Sequence, residues 1–139
     1  MTGPVWEITP CAGMTHGAVK AAFAACWPLL RLHLYWPTNA YYKEDWRAED
    51  AQTGDDDILH PHRSEQSVSL TGSMTISRCH RLLHDTFNLE SEITYLEQHA
   101  YVRGETIDDC QRHAARWSDL FEALNGRPPG PLDWFDWPP

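Results

Sequence analysis

Hydrophobic and polar positions along the chain change period several times, and each change marks an element. Near the start, Val5-Trp6-Glu7-Ile8 is short enough for a strand, with prolines and glycines around it. From His16 to Trp27, Val19, Phe23, Cys26 and Trp27 recur at helical spacing in an alanine-rich stretch. Thr15 is the expected N-cap and Pro28 the stop. Leu30, Leu32 and Leu34 then alternate with Arg31, His33 and Tyr35, the period of two that places one strand face on a core. Ser67–Ser77 alternates again, and its pattern predicts a strand giving way near Ser73 to a helix through Ile76, Leu83 and Phe87. Leu89, Ile93, Leu96 and Ala100 suggest a further helix, although Ile93-Thr94-Tyr95 also suits a strand. The last helix has Thr106 and Asp109 as a capping box, two acids at the positive end of its dipole, and an apolar stripe of Ile107, Cys110, Ala114, Trp117, Phe121 and Leu124. Gly126 is placed to close it.

These elements predict an α+β fold: one small domain over 1–126, its helix-rich C-terminal half packed on a small sheet. An irregular Pro/Trp-rich tail follows over 127–139, where five prolines forbid regular structure. No internal repeat is visible. Between 38 and 63 periodicity disappears, and Lys43–Asp57 holds seven acids against two bases. This reads as a long acidic surface loop, of a length often tied to function.

Composition narrows the classes. With 139 residues the chain is long enough to form a core without staples, and 42% apolar content is ordinary for a globular domain. A formal net charge of −9 argues against direct nucleic-acid binding and against an anionic membrane surface. The apolar run Ala21–Leu30 is too short to span a bilayer, and no secretory leader pattern opens the chain, so a cytoplasmic location is expected. Cys11, Cys26, Cys79 and Cys110 form no CxxC pair and read as free thiols.

Two constellations could carry chemistry. His80 and His84 are four apart on one predicted helix, and Cys110 and His113 three apart on another. Packed face to face, these four would make a zinc site and imply a small zinc-dependent enzyme or a zinc-stabilised domain. Against this, Cys110 lies in its helix's own apolar stripe. Asp55-Asp56-Asp57 followed by His60 and His62 offers a second set of divalent-ion ligands. No nucleophile motif, metalloprotease signature or phosphate-binding glycine loop is present. The local basic face of Arg78, His80, Arg81 and His84 is outweighed as a DNA reader by the charge of the whole.

Aromatic and acidic residues coincide. Trp36, Tyr41, Tyr42 and Trp46 lie before or within the acidic loop, and indoles and phenols beside fixed carboxylates suit a binding surface. The expected function is therefore a non-enzymatic, acidic protein-binding module or inhibitor of the immunity, antitoxin or anti-defence type, needing no cofactor. It would occlude a basic protein surface through Tyr42, Asp45, Trp46, Asp55, Asp56 and Asp57, and pairing with a second copy as a homodimer remains open. The bland reading is that the rings cover the edge of the domain's own core.

Overall fold

The computed structural model describes residues 6–37, 52–95, 105–130 and 133. In chain order the elements are β1 (Glu7–Ile8), α1 (His16–Cys26), β2 (Leu30–Tyr35), β3 (Leu70–Thr71), α2 (Ile76–Phe87), β4 (Glu90–Tyr95) and α3 (Ile107–Asn125). Two small antiparallel sheets form, β1 with β3 and β2 with β4. The result is a small α+β domain whose buried side chains make one cluster drawing on all three helices. No helix among the described residues is long and apolar enough to cross a membrane.

Each element starts where local chemistry says it should. Thr15, Thr75 and Thr106 are the three N-caps, each accepting an amide from three residues on through its hydroxyl. Thr106 and Asp109 form the full reciprocal capping box. Asn88 and Gly126, both left-handed, close α2 and α3. β2 buries Leu30, Leu32 and Leu34 and leaves Arg31, His33 and Tyr35 half-buried, as its alternation requires.

Two sequence expectations are corrected. The segment after Leu89 is a strand, not a helix: Ile93 and Tyr95 pair across the sheet with Leu32 and Leu30. A partner strand with its own apolar alternation decides a short run that periodicity leaves open.

The second concerns repetition, because the described backbone repeats its elements although the letters of the sequence show no repeat. Strand, turn, Met-Thr, helix and strand occur twice in the same order, Met14-Thr15 matching Met74-Thr75 sixty residues on. The backbone bonds repeat with them. Ala12 N donates to Gln66 O and Gly72 N to Trp6 O, while Met14 N donates to Cys11 O and Met74 N to Thr71 O. Glu7 pairs with Thr71, and in the same ladder Cys11 pairs with Ser67. Each pair maps onto the other when the repeats are exchanged, so an approximate twofold axis runs through the ladder. The core follows: Val19, Phe23 and Trp27 of the first repeat match Cys79, Leu83 and Phe87 of the second.

Each repeat ends with a return segment that bonds the turn before its helix. Leu59 N donates to Met14 O in the first, and Ile107 N to Met74 O in the second. Leu59 and Ile107, equivalent by this criterion, are both fully buried. After Leu59 the chain crosses to the second repeat through an exposed linker, whereas after Ile107 it continues as α3. α3 then holds the corner between α1 and β2. Trp27 Nε1 donates to Asp108 Oδ1 at 2.8 Å, and Leu29 N to Gln111 Oε1 at 3.0 Å.

Candidate functional site

The two repeats agree where they build the fold, so a site is best sought where they differ. Besides α3, they differ in the connection from the second strand to the return segment: residues 36–56 in the first repeat against 96–104 in the second. The acid-rich stretch of the sequence is this longer connection.

Its described end is tightly built. Gly54 N donates to the Asp57 carboxylate at 2.7 Å, and Asp57 N donates back to Gly54 O at 3.1 Å, closing a turn. The turn sits on the N-terminus of α1, where His16 N donates to Asp57 O and Gly17 N to Asp55 O. Two amides that a helix leaves unsatisfied are thus capped by the loop backbone. Gly17 makes room for this, since a Cβ there would lie 3.0 Å from the Cβ of Asp55. Behind the turn, Thr53 N donates to Leu34 O, and the Thr53 hydroxyl lies 2.6 Å from His16 Nδ1.

The three described carboxylates have different duties. Asp57 is spent on the turn. Asp55 is 76% exposed and meets Lys20 Nζ at 3.1 Å. Asp56 is exposed. Tyr42, Asp45 and Trp46, the other residues expected in this surface, lie outside the described residues. So do Trp134, Phe135 and Trp137 of the tail. Trp36 is 41% exposed and its ring stands 5.9 Å from that of His16. It lies on the domain's edge, partly covering the first turn of α1.

His16 and Thr53 look like a catalytic pair by distance alone, but they are 1% and 5% exposed. Their contact ties the end of the loop to the start of α1. Burial lowers the His16 pKa below the ordinary histidine value, partly opposed by Asp57 and Asp55. A neutral imidazole also suits the positive end of a helix.

The four residues expected to bind zinc are not gathered. His80 Nδ1 lies 2.6 Å from Ser91 Oγ, on the α2–β4 contact, and burial lowers its pKa against the pull of Glu92 and Glu90. His84 is exposed, 3.3 Å from Asp85. Cys110 is fully buried in the core and His113, three residues on, is exposed. Burial pushes the thiols up, to about 12 for Cys79 and about 11 for Cys110. His60 and His62 are exposed beyond the acidic turn. Among the described residues no three His, Cys, Asp or Glu side chains group closely enough to hold a metal ion. Helical spacing put each pair on one turn, but α2 turns its histidines toward β4 and solvent while α3 turns Cys110 inward.

Sequence reading missed the concave side of the first repeat. Between α1, β2 and the segment 52–55 lies a cleft of about 350 Å³, lined by Lys20, Ala21, Ala24, Arg31, His33 and Asp55 among others. Its signal in the sequence is the paired small residues on one α1 face opposite two basic β2 residues, legible only once helix and strand are known to be neighbours. No protein family, curated protein or solved structure shows significant similarity to this chain.

Proposed function

We propose that the chain is a non-enzymatic acidic module that binds a basic surface of another macromolecule through the long connection of its first repeat. The observation that carries this reading is the seating of Gly54–Asp57 on α1. A loop whose backbone caps a helix is held in place before any partner arrives, so its exposed carboxylates Asp55 and Asp56 cost little further ordering on binding. The charge of the whole chain, −9, adds long-range attraction for a cationic partner. Occlusion is the mechanism this implies, with the indoles and phenols that the sequence carries in the same connection adding apolar contact.

The structure sharpens the test. Asp55→Asn with Asp56→Asn removes two charges and leaves the turn's own acceptor, Asp57, untouched. A partner captured from the native host on the immobilised full chain should dissociate steeply with added salt, and the double variant should lower its association rate about tenfold or more at low ionic strength. Capture that is indifferent to salt, or a double variant with unchanged association, sinks the reading.

A further inference from the structure

After the acidic turn the chain runs back beside the start of α1, and there the two repeats place different residues. Thr15 pairs with Ile58 as Thr75 pairs with Thr106. Thr106 caps α3, whereas Ile58 starts no helix and holds its side chain out, 46% exposed. Beside it lies a second cleft, of about 120 Å³, walled by Trp36, Pro37 and Ile58 of the first repeat and by Phe87 and Leu89 of the second. Its lining is mainly apolar and includes no Lys or Arg. The walls are held from several sides. Leu59 N donates to Met14 O just after Ile58, and just before it His16 N donates to Asp57 O. Phe87 and Leu89 are buried and flank the left-handed Asn88 that closes α2. A dry cavity of roughly 150 Å³ takes a benzene-sized group, so this one suits a single branched aliphatic side chain. Negative charge stands next to it. Asp56 is two residues from Ile58, no more than about 7 Å along the chain. Among the described residues its exposed carboxylate meets no cation. Asp55 already faces Lys20, and Asp57 is held by Gly54.

We infer that this cleft is the anchor point of the partner surface: it takes one aliphatic side chain, of leucine or isoleucine size, from a partner segment whose neighbouring Lys or Arg meets Asp56. The inference rests on the partner-binding reading above and adds the class of segment recognised, a basic peptide with an apolar residue in its midst. Charge complementarity selects that occupant. A purely apolar segment leaves Asp56 without a cation, and a second copy of this chain sets −9 against −9. The seated side chain supplies holding strength, and the charges supply rate of approach.

The test is an amide ¹H–¹⁵N titration of the full chain with two synthetic pentapeptides of equal charge, one with four lysines about a central leucine and one with four lysines about a central serine. The leucine peptide should shift Ile58 and Phe87–Leu89 together with Asp55–Asp57. It should bind about tenfold more tightly than the serine peptide, the gain expected from burying one such side chain. Ile58→Ser should remove that preference and leave the serine peptide's affinity as it was; if this variant does not fold, Trp36→Ser serves the same end. Asp56→Asn should weaken both peptides alike. Peptides that bind equally, with shifts confined to Asp55–Asp57, overturn the anchor and leave the acidic surface standing. A leucine peptide that seats in the cleft but is indifferent to Asp56→Asn and to added salt overturns the basic partner, and with it the surface proposed above. Binding of neither peptide overturns the inference. So do shifts of Ile58 and Phe87–Leu89 on diluting the chain alone, which would give the cleft to a second copy.

Discussion

At the scale of single residues, Gly72 shows how a position can be fixed by a neighbour far along the chain. A Cβ on Gly72 would fall well inside contact distance of the Asp108 carboxylate, which itself accepts from the Trp27 indole. Gly72 O accepts from Asp108 N, so neither backbone can retreat. Gly72→Ala should therefore cost about 2–4 kcal/mol in urea denaturation, through displacement of Asp108 and loss of a hydrogen bond to a buried indole. His16 and His80 give a pH dependence. Both have folded-state pKa values below the ordinary 6.5, so below that value the unfolded chain binds protons that the folded one refuses. Stability should be full above pH 6.5 and fall as pH drops through the window down to the lowered folded values. The paired variant His16→Gln and His80→Gln should show a shallower loss of denaturation midpoint between pH 7 and 5 than the parent.

At the scale of elements, the caps are where sequence and structure agree most closely. Thr15 and Thr75 occupy equivalent places in the two repeats, each accepting from the amide three residues on at 3.1 Å. Thr15→Ala and Thr75→Ala should each cost about 1 kcal/mol in denaturant midpoint, and the double variant close to the sum, since the two caps share no partner. α3 departs from its pattern in the second half. Ile107, Cys110, Ala114 and Trp117 are buried, but Leu124 is 74% exposed. Beyond Trp117, Phe121 is packed only partly, with Arg127 stacked 5.0 Å from its ring centre. The helix thus runs past the body that its first half covers.

At the scale of the whole molecule, strand pairing between the two halves explains why one core serves both. Neither repeat pairs its two strands with each other; β1 and β2 both find their partners in the second repeat. Half of the chain would leave every described strand without its ladder partner and the core cluster open on one side. Unfolding should accordingly be a single transition in urea, with far-UV circular dichroism and tryptophan fluorescence coincident. Two separated transitions would mean that the repeats hold themselves together independently. The same arrangement separates duties on the surface. The second repeat continues into α3, which braces the α1–β2 corner, and the first carries the long acidic connection and the α1–β2 cleft.

Helix starts, the β2 alternation and the first half of α3 were set by the sequence, because caps and periodic burial depend on residues within a few positions of one another. So was the negative charge on which the proposed partner binding rests. Whether 90–95 is strand or helix was decided by β2, whose register no local signal contains. The repetition of elements stayed hidden because its two cores keep volume and spacing rather than letters, Val19, Phe23 and Trp27 answering to Cys79, Leu83 and Phe87. The zinc set illustrates the opposite case: spacing along a helix fixes which residues share a face, and only packing fixes what that face meets. The tertiary structure alone brought Lys20 and Arg31 to one cleft and pinned the acidic turn on α1, since both depend on contacts between segments that the sequence keeps apart.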